Sequence, residues 1–271
     1  MNHALRLRCL RVLVLGIVVG WLCKVPFWGV AVAGYAAWPL QDFFFPAPLQ
    51  RLPVMLASAA FAVLPAVFAL VRPSVNRLVV ALCTLLAGSL LLLIHQLTYN
   101  DATYTTSSWV ALYGLWLAHA SARGDHALIA RAGPIAQLVV ALLFFGGLVG
   151  KLTPGYWDGS VMYGLYFGSS THWSFALTRK LVSPEALPVV ARWYGRFVIL
   201  TEACLAILPL LPLRPSLRFA SLAMVGLVVF SNFYLLSVVA SLLAMCQIPL
   251  IVGAPDAPSA RLRSRKSPEP A

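Results

Sequence analysis

The side chains able to do chemistry are few, and one stands out by its setting. Lys151 ends an uncharged run in the segment Ala141 to Gly159, ALLFFGGLVGKLTPGYWDG. A lysine there has two chemistries open to it. At the rim of a membrane its ammonium snorkels to the headgroups beside an aromatic belt such as Tyr156 and Trp157. Inside a helical bundle, desolvation makes the amine a usable base. Around it lie Asp158, the loop carrying Asn100 and Asp101, and His172 beside Trp173. Either Asp101 or Asp158 is a suitable ion-pair partner for Lys151, as part of a functional site or as a plain salt bridge closing the outer end of the bundle. Glu202 is the one acid inside an apolar run. Arg196 lies six residues before it, off its helix face, so Glu202 is expected to face another helix. The candidate site is therefore Lys151 as base with His172 and Asp101, and Asn100, Trp157, Asp158 and Glu202 as substrate contacts. Each has a structural alternative: His172 as a packing residue, Glu202 as a satisfied carboxylate. No metal site is expected, because the five histidines lack ligand spacing. The five cysteines form no C-x-x-C and read as small hydrophobes.

The elements that must position these residues are membrane spans. Of 271 residues, 61% are hydrophobic and 10% charged, with mean hydropathy +0.85. That composition is a polytopic membrane protein, all-α, a transmembrane helical bundle. The net charge of +12 lies in short loops, where it sets topology, so nucleic acid is excluded as a partner and the lipid bilayer is the expected surroundings. About eight spans are expected, near 12–34 (interrupted by Lys24 and Pro26, so one kinked span or an interfacial helix and a span), 53–71, 78–97, 109–121, 133–150 and 193–212, with the run 219–252 split at Ser231 and Asn232. Between spans five and six, residues 159–188 are too polar to cross and read as an outer interfacial or re-entrant piece. Thirteen Lys and Arg residues then lie inside, against Arg51, Lys151, Arg179 and Lys180 outside, with both termini cytoplasmic. Residues 1–253 form the membrane domain, and 254–271, rich in Pro, Ser and Arg, a disordered basic tail. No cleavable signal peptide and no internal repeat are evident.

The order of these features resembles the HTTM domain, the membrane domain shared by vitamin K-dependent gamma-carboxylases and many bacterial relatives. The resemblance rests chiefly on GLVGKLTPGYWDG, Gly147 to Gly159, similar to that family's apolar helix, Gly, Lys-Leu, turn, Trp and acid-Gly pair. Weaker likenesses are Tyr99-Asn100-Asp101-Ala102-Thr103-Tyr104, the pair His172-Trp173, and Phe230-Ser231-Asn232 near a closing helix pair. The resemblance implies that Lys151 matches the base that deprotonates a reduced quinone. The chain departs from the pattern in having Ala102 at the loop histidine, Ser231 in place of a histidine, and a turn after Lys151 about two residues longer. No large extracytoplasmic domain follows the last span, so gamma-glutamyl carboxylation is not expected.

Two functions follow as expectations. The first is a non-enzymatic accessory protein in a bacterial inner membrane, serving maturation, export or immunity of a secreted peptide, with that peptide or a membrane protein as partner. The second is a quinone-dependent membrane enzyme related to the gamma-carboxylases, with Lys151 as base and a reduced quinone as cofactor. A transport role is weaker, since intramembrane charge is sparse and no repeat symmetry is visible. Whether Lys151 faces a cavity or the headgroups separates the first two.

Overall fold

In the computed structural model the described residues are 1, 3–37, 45–125, 129–168, 170, 172–230 and 235–252. They are helical, with no strand among them. The expected tail, 254–271, and the split at Ser231 and Asn232 lie outside them.

The first apolar run is two helices, α1 (His3–Cys23) and α2 (Val25–Ala37), and α1 with Val25–Gly34 bends by 41° at Lys24. Pro26 explains the break, because it offers no N–H to the preceding turn and its ring collides with that turn's carbonyl. Helix α3 (Leu52–Val71) and α4 (Val75–Leu93) follow as a hairpin. Ser74 caps α4, its hydroxyl accepting from the Arg77 N–H. Helix α5 spans Ala102–Ala122 and α6 Ala132–Lys151. After single turns at Pro154–Trp157 and Ser160–Met162, a π-turn at Tyr163–Phe167 leads to α7 (Trp173–Leu181). The remaining helices are α8 (Leu187–Ile207), α9 (Arg214–Phe230) and α10 (Leu236–Val252).

Among the described residues four segments are long and apolar enough to cross a membrane: α3, α4, α6 and α8 extended to Leu210; the bent α1–α2 pair makes a fifth if it counts as one span. The expectation of eight spans is therefore met in part. Helix α5 starts seven residues before the expected 109, because Asp101 caps it: the carboxylate Oδ1 accepts from the Thr103 N–H at 2.8 Å. Its first turns hold Thr105, Ser107 and Ser108, whose hydroxyls bond back to carbonyls four residues earlier, so polar side chains sit in an apolar setting without loose donors.

Helix α1 is central and packs against α3, α4, α5 and α10. Its closest neighbour is α10, reached through Gly16 and Gly20: a Cβ on either would strike the Ala240 or Ser237 carbonyl. Small residues four apart let two backbones approach where lipid supplies no hydrophobic drive. Leu10, Leu13, Ile17, Leu82, Leu85 and Met245 fill the main core. A second cluster, Met162, Phe167, Phe175, Leu187 and Ala191, fixes the segment after Lys151 onto α8. Gly159, at φ +87°, makes this docking feasible, since any side chain there would run into the Arg192 backbone. Arg179 closes the π-turn by donating to the Tyr166, Phe167 and Ser170 carbonyls.

Candidate functional site

The start of α5, the end of α6, the middle of α8, the end of α9 and the start of α10 meet around one cavity of about 660 Å³. Helix ends of opposite sense converge there because successive helices alternate in direction. Its wall is mostly apolar, with Leu142, Phe144 and Leu242 among the lining, and its polar part comes from Asn100, Thr105, Thr106, Lys151, Glu202 and three tyrosines. A concave, mainly apolar pocket with a few converging polar groups is the usual form of a small-molecule site.

Lys151 ends α6 and lines this cavity. Its ammonium lies 2.7 Å from Glu202 Oε1 on α8, with side chains 24% and 13% exposed. The Gly147 carbonyl, one turn back, is at 3.5 Å, and the Tyr156 ring centre lies 5.9 Å from the ammonium. Gly147 makes room for the carboxylate: a Cβ there would stand 3.1 Å from Glu202 Oε2. Oε2 itself is buried and has no hydrogen-bond partner among the described residues. As an ammonium–carboxylate pair the site thus keeps one unused acceptor and no free amine. Burial, with the Glu202 charge, pushes the Tyr156 hydroxyl above its ordinary range, and burial with the neighbouring Tyr156 does the same for Tyr166. Both phenols therefore stay protonated and available as donors.

The expected partner of Lys151 was Asp101 or Asp158, and the structure corrects this. Asp101 is taken by Lys24, whose ammonium lies 2.6 Å from Oδ2. Asp158 is exposed and closes its own turn, accepting from the Ser160 N–H at 2.8 Å, a bond that holds its carboxyl below the usual range. Glu202 does face another helix, as expected, and that helix carries Lys151.

Of the remaining candidates, Asn100 lines the cavity. It stands at φ +53°, a left-handed conformation that Asn tolerates better than most residues. Trp157, Asp158, Asp101 and His172 are outside the lining. Trp157 lies under the Arg196 guanidinium, 5.2 Å from its ring centre. His172 Nδ1 is 2.8 Å from the Ser174 hydroxyl, with the ring against Trp173 and Phe175. Among the described residues no group of His, Cys, Asp and Glu could hold a metal ion.

Sequence reasoning missed Tyr156, Tyr166, Tyr194 and Gly147 as wall residues, and Lys24 as a partner. Only Lys24 carried a readable signal, an ionisable residue inside an apolar run. A scan against protein-family models finds no match, and neither do comparisons with curated proteins and with solved structures.

Proposed function

We propose that this chain is an eight-span membrane protein that binds a lipid-soluble hydroxyl compound of the reduced-quinone class and handles its proton through the Lys151–Glu202 pair. The carrying observation is the place of Lys151: it is paired with Glu202 at the wall of a largely apolar cavity. Among the described residues, the charges lining the cavity are those of Lys151 and Glu202 and they cancel, which suits a neutral ligand, and the phenols of Tyr156 and Tyr166 supply donors beside it. The ligand hydroxyl would donate to Glu202 Oε2, and loss of its proton would convert that carboxylate to the acid beside the Lys151 ammonium. The proton-accepting atom in the resting pair is then on Glu202, and Lys151 holds the carboxylate and the resulting ligand oxyanion. This refines the reading of Lys151 as sole base.

The likeness to the HTTM domain supports the reading through Gly147 to Gly159. The eight spans would be α1 with α2, α3, α4, α5, α6, α8, α9 and α10, which keeps both termini on the cytoplasmic side of a bacterial inner membrane and the cavity toward the outer leaflet.

The test uses proteoliposomes carrying the full chain or Lys151→Ala, supplied with menadiol. Saturable menadiol binding by the wild type and its loss in the variant are expected. Oxygen-dependent epoxide that disappears with Lys151→Ala would make the chain an enzyme; binding without epoxide would make it a non-catalytic accessory that holds the molecule. Absence of binding to folded wild-type protein would sink the proposal.

A further inference from the structure

We infer that Lys24 is a positioning residue for the cavity: its ion pair with Asp101 holds the backbone that places Asn100 on the cavity wall. This rests on reading the cavity as a ligand site, and nothing in the α6–α8 pair enters the argument.

Pro26 ends α1 at Cys23, so the chain turns at Lys24, with the Lys24 N–H on the Trp21 carbonyl and the Phe27 N–H on the Lys24 carbonyl. A straight helix would send this side chain around the α1 axis; the turn lets it reach across to the start of α5. There its ammonium lies 2.6 Å from Asp101 Oδ2 and 4.5 Å from the Phe27 ring centre. With side chains 13% and 15% exposed, both charges are largely withdrawn from water and depend on each other. Asp101 has a separate task for each oxygen: Oδ2 meets Lys24, and Oδ1 caps α5 through the Thr103 N–H. Its backbone is fixed as well, since the Asp101 N–H bonds to the Thr98 carbonyl and the Tyr104 and Thr105 N–H groups to the Asp101 carbonyl.

Asn100 sits directly before this anchored residue, in a left-handed conformation that costs more than extended backbone and persists only if its flanks are held. The Thr98–Asp101 turn holds one flank and the α5 cap the other. Among the described residues no residue of α1 or α2 lines the cavity, so Lys24 reaches the cavity wall through Asp101. It therefore acts by geometry and does not touch a ligand.

The experiment measures hydrogen–deuterium exchange over residues 96–105 in the full chain, reconstituted in nanodiscs, for wild type, Lys24→Met, Lys24→Arg and Lys24→Met/Asp101→Asn. The double variant leaves no unpaired charge and keeps an acceptor for Thr103, so it folds even if Lys24→Met does not. Loss of the pair should raise exchange in this stretch about tenfold in either variant lacking it, with little change over 142–151, and Lys24→Arg should restore it. Menadiol affinity, measured alongside, should fall in the double variant and in Asn100→Ala, and combining all three changes should add nothing further. Unchanged exchange over 96–105 overturns the inference whether or not menadiol binds. Raised exchange with menadiol affinity additive to Asn100→Ala also overturns it, because the brace would then not act through Asn100. No menadiol binding by the wild type defeats the functional proposal by itself, and exchange then decides alone whether Lys24 holds this segment.

Discussion

Two lysine–carboxylate pairs of almost equal length, 2.6 Å and 2.7 Å, lie at one end of the bundle, and they differ in what is left over. In Lys24–Asp101 both carboxylate oxygens are engaged, one with the ammonium and one with the α5 cap. In Lys151–Glu202 the second oxygen is buried without a partner among the described residues, and the pair borders a cavity. A fully satisfied pair can only hold structure. A pair with an unused acceptor beside open volume is the form a binding site takes, because an orphaned buried acceptor is tolerated where something else supplies the donor. Distance alone would have ranked the two as equivalents.

The largest effect that could break this contrast comes from removing each acid. Asp101→Ala strands the Lys24 ammonium in an apolar setting and deletes a helix cap. It should cost roughly 3–5 kcal/mol for the broken pair and about 1 kcal/mol more for the cap. Glu202→Ala strands Lys151 at the edge of a cavity that water can enter, so its cost should be less, on the order of 1–3 kcal/mol. The ranking reverses for menadiol: Glu202→Ala should abolish binding, whereas Asp101→Ala should leave a measurable, weakened affinity. Thermal unfolding in detergent and equilibrium binding read both. Equal destabilisation with equal loss of binding would erase the distinction between brace and site.

A smaller change sharpens the second pair. Gly147→Ala puts a Cβ 3.1 Å from Glu202 Oε2, tighter than ordinary contact, so the carboxylate must shift by a few tenths of an ångström. The helix itself gains, since Ala is favoured over Gly by about 1 kcal/mol in a helix interior. Stability should therefore hold or rise while menadiol affinity falls about tenfold, the signature of a displaced acceptor. Unchanged affinity would mean that Oε2 is not the atom a ligand meets.

The sequence made the bundle legible and the pairing only half so. Long apolar runs and the charges between them lead to each of the long helices, because period and length are local properties. Glu202 could be assigned to an interhelical contact from its own helix face. Its partner could not be found in the same way: the sequence pointed Lys151 to Asp101 or Asp158, and Lys24 takes Asp101 out of competition, a fact of tertiary packing. Trp157 and Asp158 looked like site residues because they follow Lys151 so closely. Pro154 and the docking of Gly159 on α8 carry them off instead, to Arg196 and to a local turn. The tyrosine wall was not legible, since aromatic residues near a membrane boundary are too common to single out.

The smallest predicted effect concerns acid, and it belongs to the brace rather than the site. His95 precedes the turn that leads to Asp101 and is 1% exposed. Its Nδ1 accepts from the Leu97 N–H at 3.3 Å, which requires that nitrogen to be unprotonated. Burial holds the imidazole below its ordinary value, while backbone contacts at Gln50 and Arg51 oppose the shift in part. The unfolded chain then takes up a proton at higher pH than the folded one. The stabilising term is complete above the ordinary value of 6.5 and is lost as pH falls from there through the depressed folded value. His95→Asn keeps a short acceptor two residues before the same N–H and cannot titrate. Melting temperature below pH 6.5 should consequently fall less steeply in the variant than in the wild type, with exchange over 96–101 rising first in the wild type. If menadiol binding showed that same acid transition and exchange over 96–101 did not, the proton would be acting at the Lys151–Glu202 pair, and the brace would not be the acid-sensitive half of the molecule.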